Sequence, residues 1–286
     1  MKLYVQSPTD THVSRVLIAA RYAGVEFEVI DNVPAEKLAE VSADGRLPVL
    51  ETDSGYVGHS NAIMRYIARL VSSEVLLGDG AAEKGAVDQW LDFSANEVEP
   101  SAAVWTFPIQ RVEGMPAVSA EASRVAKDSI RACLGSLNTH LANKTFMVSQ
   151  RVSLADISLA TALVSVFKLV LTTADRAAFP HAFRWFLTCV HQPEFEAVLG
   201  QVALHAGTPV VAGSAPAAAA SAGAAGFIGA AALSTEAGSA ECNYSIISPA
   251  TTLFRRERTR VQQIMDAGLA WEGRQLTVSG YPPAAT

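Results

Sequence analysis

The sequence predicts an α/β domain over residues 1–80, an all-helical domain over residues 81–204 and a mostly disordered tail. Three observations carry this reading. Strand and helix signals alternate as far as about residue 80, and from there to residue 204 only the helical spacing of apolar residues remains. At residue 205 the composition changes abruptly to small residues. Half of the 286 residues are hydrophobic and 17% are charged, which is enough apolar material for a core and argues against disorder throughout.

The elements follow in order. Leu3-Tyr4-Val5 is a short strand, and Val13 to Ala20 is an apolar helix that Gly24 closes, because glycine takes the left-handed conformation at a helix end at no steric cost. Phe27-Glu28-Val29-Ile30 alternates with period two, as a half-buried strand does. Leu47-Pro48-Val49-Leu50-Glu51, the turn residues Asp53-Ser54-Gly55 and the strand Tyr56-Val57 make a hairpin. Ser60 stands at an N-cap position ahead of Ile63, Ile67 and Leu70. The order is therefore β-α-β, then β-β-α.

Beyond residue 80, Val87, Trp90, Leu91 and Phe93 lie on roughly one side of a helix over 86–94. Val125, Ile130, Leu134, Leu137 and Leu141 mark a second over 117–141. Ser153-Leu154-Ala155-Asp156 is a capping box, a hydroxyl and a carboxylate three residues apart that satisfy each other's amide donors. Val152 and Ile157 flank it as a hydrophobic staple, and the apolar run 157–171 follows; Lys168 within it argues for a buried helix rather than a membrane span. Phe179-Pro180 precedes a last helix, Arg184 to His191.

The tail divides into a linker, 205–240, and a short segment, 241–286. Ala, Gly, Ser and Pro fill 27 of the 36 linker positions, too little apolar surface to offset the entropy of ordering. In 241–286, four arginines lie within Arg255–Arg260, and Val261, Ile264, Met265 and Leu269 follow at helical spacing. The net charge of −6 supplies no basic field for nucleic acid, and direct nucleic-acid binding is not expected. Cys133, Cys189 and Cys242 have neither disulfide-framework nor zinc spacing, and no metal or cofactor is expected. The N-terminus lacks the apolar core of a signal peptide and no run suits a bilayer, so a cytoplasmic protein is expected.

This order, with Leu47-Pro48 at the turn into a strand, Ser60-Asn61-Ala62-Ile63 opening a helix and Ser153-Leu154-Ala155-Asp156 capping another, resembles the glutathione transferase family. The resemblance implies a thioredoxin-like amino-terminal domain and the all-α carboxy-terminal domain of that family. The helical half is similar to the gamma subunits of translation elongation factor 1B, through Asn96-Glu97-Val98-Glu99-Pro100, Trp105-Thr106-Phe107-Pro108 and Arg184-Trp185-Phe186-Leu187-Thr188-Cys189-Val190 with Gln192-Pro193-Glu194-Phe195. Residues 260–265 and 273–281 are weakly similar to the start of the anticodon-binding domain of asparaginyl-type class II aminoacyl-tRNA synthetases.

The resemblance implies site residues as well. A cis peptide at Leu47–Pro48 would leave the Leu47 backbone free to pair with the cysteinyl part of glutathione, or would only shape the fold. Ser60, at a helix start, would hold the γ-glutamyl carboxylate, or serve as an ordinary cap. His59 stands where glutathione binders usually carry Glu or Gln, which removes a group that would hold the ligand's amino end. The thiolate-stabilising hydroxyl would lie among Ser7, Thr9, Thr11, His12 and Ser14; Ser14 beside Arg15 is the candidate, and no cysteine is near. Ser153 and Asp156 are structural. The expectation is a non-catalytic scaffold of the translation apparatus, with elongation factor 1B subunits or aminoacyl-tRNA synthetases as partners and a homodimer as one assembly. The alternatives are an active glutathione transferase, with glutathione as substrate rather than vestigial ligand, and an appendix or truncated form of a synthetase.

Overall fold

The computed structural model describes residues 1–110 and 118–207. The linker beyond 207, the arginine run, Cys242 and the synthetase-like segment lie outside the described residues. The first seven elements are β1 (Lys2–Tyr4), α1 (Thr11–Ala23), β2 (Glu28–Ile30), α2 (Ala35–Val41), β3 (Val49–Thr52), β4 (Gly55–Gly58) and α3 (Ser60–Leu70). The four strands form one mixed sheet in the order β2-β1-β3-β4. β1 runs parallel to β2 and antiparallel to β3, with Leu3 opposite Val29 on one side and Leu50 on the other.

Strand alternation sorts the side chains onto two faces. Leu3, Val5 and Leu50 are fully buried in the main core with Val16 and Ile18 of α1 and Ile63 and Ile67 of α3. Tyr4 and Val49 point the other way, into a small cluster with Val33 and Val41. That cluster lies under α2, which the sequence does not reveal: seven residues with only Leu38 and Val41 at helical spacing give almost no periodic signal. A cation holds it down. Lys37 Nζ sits 5.5 Å from the Tyr4 ring centre and 5.7 Å from that of Tyr56, and 2.8 Å from Glu40 Oε1.

Two expectations are corrected here. Ser60 is not the N-cap of α3; His59 holds that position with φ 63° and makes no side-chain cap bond, while Ser60 is the first helical residue. In β2, Val29 is 39% exposed because the strand is the sheet edge, so its alternation does not bury one face. Gly24 does close α1 in the left-handed conformation, φ 66°, and the Leu47–Pro48 peptide is cis.

The helical half contains α4 (Glu74–Leu77), α5 (Gly80–Phe93), a π-helical turn Ser94–Val98, α6 (Glu99–Gln110), α7 (Ala120–His140), α8 (Leu154–Leu169), α9 (Thr173–Ala177), α10 (Pro180–Val190) and α11 (Pro193–Leu199). α8 is buried almost all round, in keeping with its continuous apolar run. The capping box at its start is formed, and Val152 and Ile157 are both buried in the main core.

Asp156 does more than cap. It is fully buried; Oδ2 accepts from the Ser153 N–H (3.0 Å) and hydroxyl (2.7 Å), and Oδ1 from the Met147 N–H (2.9 Å) and Trp185 Nε1 (2.8 Å). Burial pushes its carboxyl up, and the donors from Trp185, Ser153 and Met147 pull it back down. Asp156→Ala therefore removes more than a helix cap. Leaving several buried donors unsatisfied should cost at least about 3 kcal/mol. In a thermal melt this reads as a Tm lowered by about 6–12 °C; a change under about 2 °C would mean that these donors find water or other acceptors.

Candidate functional site

Of the residues that the sequence singles out, Ser60 meets His12, and Arg15 meets Asn61, where α1, α3 and the start of α6 converge. Asp10 caps α1, accepting from the N–H groups of His12 (2.7 Å) and Val13 (3.3 Å), and so fixes the first turn. His12 and Arg15, three residues apart, share one face of α1. His12 Nδ1 is 3.2 Å from the Ser60 hydroxyl, and its Nε2 is 3.8 Å from Glu99 Oε2. Arg15 Nη1 donates to Glu99 Oε1 at 2.7 Å and approaches Asn61 Oδ1 at 3.4 Å. Ser94 donates to the same Glu99 oxygen at 3.3 Å, and Ser158 donates to Ser94 at 3.0 Å.

The result is a polar cluster across the junction between the two halves of the molecule, and it is almost closed to water. Arg15 is 1% exposed, Ser60 4% and His12 8%. Arg15 Nε and Nη2 are buried without hydrogen-bond partners among the described residues, so the carboxylate of Glu99 carries most of the compensation for that charge.

Each candidate can now be placed. Ser60 belongs to the cluster, but its hydroxyl is engaged by His12. Ser14 is 4% exposed, and among the described residues its hydroxyl makes no hydrogen bond. His12, rather than Ser14, is the α1 residue that reaches Ser60. His59, half exposed, pairs through Nε2 with Asp44 Oδ2 at 3.5 Å, tying the turn before α3 to the loop that leads into Leu47. Pro48 is buried and Leu47 half-buried, and among the described residues the Leu47 N–H and C=O take no hydrogen-bond partner. These residues fit glutathione only in part: a free backbone pair is present at Leu47, while the hydroxyl that would take the γ-glutamyl carboxylate is already hydrogen-bonded. Glu99 is the member that sequence reasoning misses, since a partner 84 residues from Arg15 leaves no local signal.

Thiol chemistry is disfavoured at both described cysteines. Burial, with Glu97 nearby, pushes the Cys133 thiol up to about 11, and burial raises fully buried Cys189 well above the usual thiol range. Among the described residues no group of three or more His, Cys, Asp or Glu is placed to hold a metal ion.

Two family models match the chain: Glutathione S-transferase, N-terminal domain, over residues 1–69, and Glutathione S-transferase, C-terminal domain, over residues 103–193. The chain belongs to the glutathione S-transferase family. Its mixed sheet and helical second half are the thioredoxin-like and all-α domains of that family. Among curated proteins, it is 38% identical to elongation factor 1-gamma 2 of Oryza sativa subsp. japonica over 208 residues, 71% of this chain and 49% of that protein. It is also 38% identical to elongation factor 1-gamma of Sus scrofa, over 69% of this chain and 46% of that one. The chain thus spans about half the length of the curated relatives it matches. In fold it is similar to the GST-like domain of elongation factor 1-gamma from Saccharomyces cerevisiae, with TM-score 0.62 and 19% identity, over 71% of this chain and 94% of that one. It is also similar to glutathione transferase F7 from Populus trichocarpa, with TM-score 0.60 and 21% identity, over 69% and 96%. No helix among the described residues is long and apolar enough to cross a membrane.

Two measurements test this geometry. Glu99→Gln strands the Arg15 charge and should destabilise the protein by about 3–5 kcal/mol, while Arg15→Met together with Glu99→Gln should recover much of the loss. Denaturant titration reads both; equal stability of the two variants would show that the pair does not hold the junction. In a Cys242→Ala background, alkylation of the folded chain at pH 8 should be at least about a hundredfold slower than in denaturant, because roughly one Cys133 thiol in a thousand is ionised there. The folded rate should rise about tenfold per pH unit towards 10; a flat profile would show that local opening, not ionisation, controls access.

Proposed function

We propose that this chain is a non-catalytic, glutathione transferase-like scaffold of the translation apparatus that assembles with elongation factor 1B subunits. The observation that carries the proposal is the 38% identity to elongation factor 1-gamma proteins, spread over some 208 residues that include both domains. The cluster geometry supports the same reading. His12 occupies the Ser60 hydroxyl, His59 stands where a glutathione-holding carboxylate or amide would be, and Ser14 is buried. A scaffold needs only surfaces, and a closed polar junction fixes the relative orientation of the two domains that present them. We place the domain junction near residue 80 and the end of the folded part near residue 204, with a cytoplasmic location and self-association as a homodimer.

One observation favours a second reading, an active glutathione transferase: among the described residues the Leu47 N–H and C=O take no partner, as a bound cysteinyl backbone would need. The synthetase-related reading rests on the tail and gains nothing from the described residues.

The deciding experiment passes the full chain over immobilised glutathione and, separately, recovers its complexes from its own cell extract. Weak or no retention on glutathione, with elongation factor 1B subunits identified in the complexes, is the expected result. Tight retention lost in Ser60→Ala, with turnover of a general electrophile that falls sharply in Ser14→Ala, would replace the scaffold by the enzyme.

A further inference from the structure

The outer side of the helical domain holds an open cleft of about 760 Å³ between α9 and α10, far along the chain from the His12 cluster. Its floor is apolar, formed by Ala177, Pro180, Phe183 and Leu187, and its rim carries Arg176 and Arg184. That volume suits a few side chains or one small ligand.

Both arginines bond only to uncharged groups. Arg176 is 8% exposed and donates through Nη1 to the Leu171 and His205 carbonyls (2.6 and 2.8 Å) and through Nη2 to the Thr173 hydroxyl (3.0 Å). Arg184 Nη2 donates to the Leu141 and Lys144 carbonyls (2.9 and 2.7 Å). Among the described residues neither has a carboxylate partner. A buried guanidinium beside an apolar floor, with no anion against it, favours an occupant that combines aliphatic side chains with carboxylates.

The chain itself passes this rim. The His205 N–H donates to the Phe167 carbonyl at 2.9 Å and the His205 carbonyl accepts from Arg176, so the last described residues lie beside an arginine of the cleft. After the small-residue linker the sequence reaches Val261, Ile264, Met265 and Leu269, apolar at helical spacing. From Val261 to Glu272 there are two acids, Asp266 and Glu272, and neither Lys nor Arg. A flexible chain of some fifty residues spans about 40 Å on average, ample to return to its own starting point. Tethering also gives the segment a high effective concentration at the cleft, so modest contacts suffice.

We propose that residues 261–272 dock in the α9–α10 cleft of the same chain, the aliphatic side chains on its apolar floor and Asp266 and Glu272 toward Arg176 and Arg184. The cleft is then an intramolecular seat for the tail. A partner presenting the same chemistry, an acidic and aliphatic peptide, would have to displace it.

The test uses the full chain with a photoreactive phenylalanine analogue in place of Thr188, on the rim of the cleft. After irradiation in dilute solution, the expected crosslink joins position 188 to residues 261–272 within one chain. Asp266→Lys with Glu272→Lys should lower its yield at least about threefold, the size of weak ion pairs lost, and Ile264→Glu with Met265→Glu should abolish it. These substitutions lie outside the described residues, and the melting temperature of the two domains should not move. Crosslinks only between two chains, only to other segments or to a co-purifying protein, or yields that neither double variant changes, would overturn the proposal.

Discussion

The helical domain depends on one buried carboxylate. Asp156 has no solvent to ionise into, and it is tolerable only because both oxygens are filled by donors from three places in the chain: the loop at Met147, the start of α8 at Ser153 and the indole of Trp185 in α10. A hydrophobic side chain there would leave those donors orphaned, and a neutral amide would turn a donor towards a donor. The requirement is therefore geometric as much as energetic. α8, buried on nearly every side, can take only one axial position, and α10 and the loop before α8 are referred to it. α1 and α3 pack against α8 in turn, so the amino-terminal domain inherits the same reference.

At the junction a second constraint appears, of opposite character. Arg15 and Glu99 form an ion pair in a nearly dry setting, and two of the guanidinium nitrogens have no partner among the described residues. Such a pair adds little to stability compared with well-packed apolar residues of similar volume, but it tolerates no separation. It makes the angle between the two domains stiff. His12 and Ser60 are drawn into the same cluster.

What the sequence reveals follows from the range of each interaction. Gly24, the Ser153–Asp156 box and the Leu47-Pro48 turn are local devices, set by residues within three or four positions, and each is readable where it stands. Helix α2 is not, because Leu38 and Val41 give too short a pattern and its lysine works through rings 33 positions before and 19 after it. The offset at Ser60 has a similar cause: the positive φ that starts the helix one residue earlier belongs to His59, and histidine does not announce that conformation as glycine would. The His12–Ser60 and Arg15–Glu99 contacts, 48 and 84 residues apart, exist only after the chain has folded back on itself. A family resemblance marks Ser60 and a stretch that includes His12, but not the contact between them.

The Lys37 sandwich has a consequence for how the molecule comes apart. α2 meets the sheet through Val41 and Leu38 and through a cation close to two tyrosine rings, an attraction made at the edge of solvent and worth about 0.5–1 kcal/mol. Local opening of α2 would expose Tyr4 and Val49 while Leu3 and Leu50 on the opposite face stay covered. The interdomain junction can stay still while the outer layer breathes.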